Sequence, residues 1–317
     1  MAHVKESASG LIPQNHVVIV PTYTPLDATG KLNVAVVERQ ADLVHKGGAN
    51  CVFVNGTTGE SVSLTVEERK KVAEEWVAKA AGRFKVIIQI GCDNVADACE
   101  LGRHAQHIGA DAFSAFCPHY YRPANSKVLV STMAEIASSA PNLPFYYYHF
   151  PGMTRVDLPM SEFMRLAYET KSIPNLKGAK FTHIDLEDFS VCTTIGDGAF
   201  EMWAGYGYGH GLGAAVMGSR GAFAFSYCCK PYRHMIQLLE AGEFQKARDL
   251  QAELVKLNQM LSALGPIPAG KELLRRLYGI DCGTVRLPLT PLEGPQLDHV
   301  SALAEFITHL NTTYPGL

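Results

Sequence analysis

Along the chain, short apolar runs rich in β-branched and aromatic residues alternate with longer amphipathic stretches. The runs are His16–Pro21, Asn50–Asn55, Lys85–Gly91, Asp111–Pro118, Phe145–Phe150, Leu176–Thr182, Phe200–Gly205 and Gly221–Phe225. Their length and composition predict buried strands, and the stretches between them suit helices. Thr65-Val66-Glu67-Glu68 has the spacing of a capping box, and the segment from there to Ala81 carries no Gly or Pro to interrupt a helix. Eight strand–helix alternations without a long polar linker predict a (β/α)8 TIM barrel, with a doubly wound sheet as the lesser option. Beyond the eighth strand, Phe244, Ala247, Leu250, Leu254, Leu257, Leu261 and Leu264 recur at three- and four-residue intervals, the stripe of an amphipathic helix. Further helical stretches near Lys271–Tyr278 and Leu297–Leu310 complete a C-terminal appendage. The expected organisation is a barrel over residues 1–242 and a helical appendage over 243–317, working as a single unit.

Composition narrows the partners. The 317 residues include 28 Lys plus Arg against 31 Asp plus Glu, a net charge of −3 that offers no basic footprint for nucleic acid or an anionic membrane. A small polar metabolite is the expected ligand. Met1–Gly10 is polar and no later apolar run reaches the roughly 18 residues of a membrane span, so a cytoplasmic protein without signal peptide or anchor is expected. The eight cysteines form no C-x-x-C motif and several lie inside apolar runs, which suits reduced packing residues.

The candidate chemistry begins at Leu176–Thr182, where a lysine falls inside an apolar run. Alternation along a strand puts Gly178, Lys180 and Thr182 on one face and Lys177, Ala179 and Phe181 on the other. Lys180 lies nearer the carboxyl end of the run, where parallel barrels place their active sites, and Lys177 reads as a solvated residue at the strand entrance. A buried ammonium is costly, so such a group tends towards the neutral amine, a nucleophile for ketones. The competing reading is that Lys180 snorkels to the surface or pairs with an acid such as Asp185.

Two further stretches sit at predicted carboxyl ends of strands. Asn55-Gly56-Thr57-Thr58-Gly59-Glu60 is a glycine-flanked turn whose amides and hydroxyls suit an anion, a carboxylate rather than a triphosphate because the Gly-Lys-Ser/Thr ending of a P-loop is missing. Phe145-Tyr146-Tyr147-Tyr148-His149-Phe150-Pro151 places Tyr146 and Tyr148 on one face, with Tyr148 towards the carboxyl end. Pro118-His119-Tyr120-Tyr121-Arg122-Pro123 adds two phenols and a cation to the same ring of loops.

Gly56-Thr57-Thr58-Gly59-Glu60, Tyr148-His149-Phe150-Pro151 and Gly178-Ala179-Lys180-Phe181-Thr182, in this order and at these separations, resemble the N-acetylneuraminate lyase and dihydrodipicolinate synthase family of pyruvate-dependent class I aldolases. The resemblance is closest to the animal lyases and runs from about Tyr23 to about Gly242. It implies that Lys180 forms an imine with the C2 carbonyl of pyruvate or another 2-oxo acid, that the Thr57-Thr58 turn holds the carboxylate, and that Tyr148 shuttles the proton of C–C cleavage. It also implies that Thr182 lines the pocket, that Tyr120 supports Tyr148 within a homotetramer, and that no cofactor or metal is needed beyond the covalent imine. The pattern departs after the seventh strand. The lyases carry an Asp-Glu pair there for the sugar's hydroxyl tail and a serine after the eighth strand, whereas this sequence has Tyr208 and Gly209 in place of the acids and Phe225 in place of the serine. No acid occurs between Glu201 and Glu240. By that comparison the polyol grip is missing, and the glycines and aromatics suit a shorter or less hydroxylated aldehyde, while a 2-oxo-3-deoxy sugar acid is as compatible with these residues as sialic acid. The rival readings are a barrel that binds 2-oxo acids or only assembles without turnover, and a metal-dependent aldolase using His119, His149, His183 and His210, among which no H-x-H or H-x-x-x-H pair occurs.

Overall fold

The structure, a computed structural model, describes residues 16–315. Met1–Gly10, on which the expectation about targeting rests, lies outside them. Eight parallel strands close into a barrel in sequence order: β1 (Val17–Pro21), β2 (Cys51–Val54), β3 (Lys85–Gln89), β4 (Ala112–Ala115), β5 (Phe145–His149), β6 (Leu176–Phe181), β7 (Glu201–Ala204) and β8 (Gly221–Phe223). Each lies inside one of the eight runs read from the sequence, and closure removes the doubly wound alternative. Every residue of β1, β2, β4 and β5 is buried, as expected of strands covered on both faces.

The connecting helices are α1 (Val37–Lys46), α2 (Val66–Ala80), α3 (Val95–His107), α4 (Ser126–Ser138), α5 (Pro151–Thr154), α6 (Met160–Thr170), α7 (Leu186–Thr194), α8 (Gly207–Val216, kinked at His210) and α9 (Cys229–Glu240). α2 shows how local chemistry sets a boundary. The Thr65 hydroxyl accepts the Glu68 amide, and the Glu68 carboxylate accepts the Thr65 amide, forming the anticipated capping box. The appendage consists of α10 (Phe244–Leu264), α11 (Pro266–Tyr278) and α12 (Pro295–Thr313). Ala247, Leu250, Leu254, Leu257 and Leu261 form the buried stripe of α10, whereas Phe244, counted in that stripe from its spacing, is exposed in the first turn.

By internal contacts the chain forms two compact units. Among the described residues, one contains Ile90–Gly205 and Ala214–Gly221 together with His16 and Val17, and the other contains Val18–Gln89, Tyr206–Gly213 and residues 222–315. The appendage helices thus belong to the same unit as β2 and β3. All eight cysteines are free thiols. No helix among the described residues is long and apolar enough to cross a membrane.

Candidate active site

Strands β5 and β6 pair in a register that sets Tyr148 beside Lys180. Alternation then sorts the side chains. Phe181 packs its ring against His149 at 5.1 Å and Phe189 of α7 at 5.3 Å. Lys180 points to the other face, where its Nζ lies 4.2 Å from the centroid of the Tyr148 ring. Lys180 is only 5 % exposed, so it does not snorkel. Burial pushes its ammonium well below the ordinary lysine range and favours the nucleophilic neutral amine. Asp185, the acid considered as its partner, caps α7 by accepting the Asp188 amide. Lys177 is half-buried rather than fully solvated, and its charge helps to lower the Glu201 carboxyl against burial, which raises it.

Next to Lys180, β7 joins β5 and β6, with Trp203 in register with Lys180. Tyr146, one alternation before Tyr148, stacks on Trp203 of β7 at 3.9 Å and donates its hydroxyl to Glu201 Oε2 at 2.7 Å. Two glycines let these strands approach. A Cβ on Gly178 would lie 1.8 Å from the Glu201 carbonyl oxygen, and one on Gly205 would lie 2.0 Å from Thr182 Oγ1, so neither position admits a side chain without moving backbone or Thr182. Thr182 itself is buried, and its Oγ1 has no hydrogen-bond partner in the protein. A buried hydroxyl in that condition asks for one, and this one lies two residues beyond Lys180.

In the other compact unit, the turn after β2 is tightly determined. Asn55 and Glu60 both adopt the left-handed region, at φ 57° and 53°. Between them the Gly59 amide donates to the Gly56 carbonyl at 3.1 Å and the Glu60 amide to the Thr57 carbonyl at 3.0 Å. Thr24 Oγ1 donates to the Gly59 carbonyl at 2.7 Å, and Asn55 Nδ2 to the Arg69 carbonyl at 2.9 Å. Thr57 and Thr58 are left at the tip, partly exposed.

The dihydrodipicolinate synthetase family model matches residues 14–307. The chain belongs to that family. It is 39% identical to N-acetylneuraminate lyase A of Xenopus laevis over 277 residues, covering 86% of this chain and 89% of that one. It is 33% identical to N-acetylneuraminate lyase of Homo sapiens over 321 residues, covering 99% and 97%. Among solved structures, N-acetylneuraminate lyase of Proteus mirabilis superposes with a TM-score of 0.86 at 30% identity, covering 94% of this chain and 99% of that chain. The protein is accordingly a carbon–carbon lyase, an aldolase of the dihydrodipicolinate synthetase family.

The remaining site residues divide sharply in this family member. Tyr208 is 3 % exposed, and its hydroxyl accepts the Phe225 amide at 2.7 Å. Phe225 stacks on Tyr227 at 5.4 Å and on Tyr23 at 6.3 Å, and the Tyr23 and Tyr227 hydroxyls meet at 3.4 Å. Burial raises the Tyr208 and Tyr227 phenols well above their usual range, so the cluster is uncharged. Gly209 has room, since an added Cβ would meet only Tyr206 Cβ at 3.6 Å. Tyr120 projects outward, 78 % exposed, with its ring edge-on to Tyr121 at 5.1 Å.

His149 lies on the face of β5 opposite Tyr148. Its imidazole is pushed down to about 4, first by burial and then by His183. With His183, Asp157, Asp185 and Asp188 it lines a cavity of about 380 Å³. Among the described residues no group of three His, Cys, Asp or Glu is arranged to hold a metal ion.

Sequence reasoning missed the contacts of Trp203 and Glu201 with Tyr146, because a residue's partner across a barrel is set by register rather than by spacing in the chain. It also missed Lys271, a second buried lysine. The signal was present there: helical period sets Lys271 on one stripe with Ile267 and Leu274.

Proposed function

We propose that this aldolase works through an imine on Lys180, joining or separating pyruvate and an aldehyde. The observation that carries the proposal is the buried Lys180 amine held 4.2 Å from the Tyr148 ring on paired strands. Neutral Lys180 adds to the C2 carbonyl of the 2-oxo acid, and loss of water leaves a protonated imine. The iminium withdraws electrons from C3. When the C3–C4 bond breaks, its electron pair becomes an enamine without help from a metal, and the C4 hydroxyl loses its proton as the aldehyde forms. Tyr148 takes that proton and returns it to C3, after which water releases pyruvate and the amine. By the family resemblance, the Thr57-Thr58 turn holds the substrate's carboxylate, and Thr182 lines the pocket on the face of Lys180. Tyr120, exposed beside Tyr121, serves a neighbouring copy in a homotetramer.

Relatives named for N-acetylneuraminate support that sugar acid as a substrate class, but the cluster at Tyr208 and Phe225 argues against it as the preferred one. Where a charged grip on hydroxyls would stand, this chain has phenyl rings and a phenol whose oxygen is already engaged by backbone. Each lost hydrogen bond to a buried hydroxyl costs about 1–3 kcal/mol, so two or three losses weaken cleavage by roughly 10²–10⁴-fold at 1.4 kcal/mol per decade. The deciding experiment is borohydride reduction with pyruvate followed by peptide mapping. An adduct confined to Lys180 is expected, and an adduct elsewhere overturns the assignment. A panel of aldehydes condensed with pyruvate then tests specificity: short or apolar acceptors should outperform N-acetylmannosamine, and efficient cleavage of N-acetylneuraminate would refute this account of the cluster.

A further inference from the structure

The C-terminal appendage reaches the Thr57-Thr58 turn through one buried carboxylate. Glu60 closes the turn in the left-handed region, at φ 53° and ψ 32°, a conformation unfavourable to any residue with a Cβ. Such a residue persists only where its surroundings hold it. The restraint comes from the far end of the chain. Lys271 of α11 sets its Nζ 2.6 Å from Glu60 Oε1, with the two side chains 3 % and 1 % exposed. The same Nζ donates to the Thr284 carbonyl at 2.6 Å, and the Arg286 amide donates to Glu60 Oε2 at 3.0 Å. Arg286 also clamps the other side of the turn. Its guanidinium donates to the Ser63 carbonyl at 2.9 Å and to Glu68 Oε2 at 2.7 Å, and Glu68 is the carboxylate that caps α2.

Both oxygens of Glu60 are therefore fixed by the appendage, while its backbone amide closes the turn on the Thr57 carbonyl. A change in this carboxylate's partners has a direct route to the conformation of residues 57 and 58. We infer that Lys271 and Arg286 are positioning residues for the 2-oxo-acid carboxylate, acting through Glu60 on the Thr57-Thr58 turn. The inference rests on the proposed role of that turn. It gives the appendage a function beyond covering apolar surface.

The test measures how borohydride trapping depends on pyruvate concentration, recording both the half-saturating concentration and the adducts per chain at saturation. Thr57→Val sets the scale, because it touches the proposed contact directly. Lys271→Met and Glu60→Gln are the two positioning variants. Glu60→Gln is nearly isosteric and keeps the protein measurable if Lys271→Met fails to fold. Positioning predicts a half-saturating concentration raised about 10–100-fold, the effect of misplacing one or two hydrogen bonds, with adducts per chain unchanged. A merely structural role predicts fewer adducts per chain and an unchanged half-saturating concentration, and that outcome overturns the inference. If Thr57→Val shifts binding and Glu60→Gln does not, positioning through Glu60 is refuted while the turn keeps its role. If Thr57→Val itself has no effect, the reading of the turn fails, and the inference fails with it.

Discussion

Lys180 and Lys271 are the two buried lysines among the described residues, at 5 % and 4 % exposure, yet their surroundings differ in kind. The amine of Lys180 lies over the Tyr148 ring, and burial drives its ammonium well below the ordinary range. Lys271 is lowered too, by burial first, but the Glu60 carboxylate beside it opposes the shift. One lysine is thereby prepared to lose its proton and the other is encouraged to keep it. Burial alone does not make a nucleophile; a carboxylate beside a buried amine favours the structural cation over the reagent.

The most complete test of this contrast is chemical. Lys180→Ala should abolish both pyruvate trapping and turnover, while Lys271 in the same variant stays unmodified even at high pyruvate. Peptide mapping after borohydride reduction reads both lysines in one sample. Labelling of Lys271 would mean that burial suffices after all.

Next in size is the phenol beside Lys180. Tyr148→Phe keeps the ring over the amine and removes only the hydroxyl, so trapping should persist while kcat falls by a factor on the order of 10²–10⁴, the range for a lost general acid–base. Steady-state cleavage rates set against trapping yields separate the two effects. An unchanged kcat would reduce Tyr148 to a packing residue.

Lys271 should respond through stability. Lys271→Met leaves Glu60 a buried carboxylate without its ion-pair partner, a loss on the order of 3–5 kcal/mol that the remaining Arg286 amide only partly offsets. Urea denaturation should show that loss as a lower midpoint. Little change would mean that the pair is solvated in practice and contributes nothing to holding the turn.

The two lysines also differ in how far the sequence reveals them. Lys180 is legible because alternation along a strand is short-range and its run lies at a predictable end of the barrel, so local pattern and topology agree. The eight strands are legible for the same reason, each being a compact apolar run. Lys271 is hidden because its partner Glu60 lies more than two hundred residues earlier, and no local pattern connects them. The Tyr208 cluster is intermediate: the lack of acids between Glu201 and Glu240 is plain in the sequence and the resemblance gives it meaning, but neither foretells the hydroxyl of Tyr208 turned back onto the Phe225 amide, nor the stack of Phe225 between Tyr23 and Tyr227. What stays illegible is contact between distant segments, which register and packing create only once the barrel closes.

The smallest expected effect has the opposite sign to the Lys271 result. Lys180→Met removes a buried amine and fills its place with an unbranched apolar chain, so the ligand-free protein should become more stable, by about 1–2 kcal/mol, the usual scale when a site strained for function is relieved. The sign of its pH dependence follows from the lowered pKa of Lys180. Between the folded and unfolded pKa values the unfolded chain binds more protons at this residue than the folded chain, so the wild type gains stability from it as pH rises. That gain is complete once pH exceeds the unfolded value and is lost as pH falls towards the folded one. The advantage of Lys180→Met should therefore be greatest on the acidic side and shrink steadily as pH is raised towards the ordinary lysine range. Urea midpoints of the two proteins across neutral to alkaline pH test this directly. A Lys180→Met variant less stable than the wild type at neutral pH would show that the contacts of the amine outweigh the cost of burying it, and the contrast with the ion-paired Lys271 would have to be abandoned.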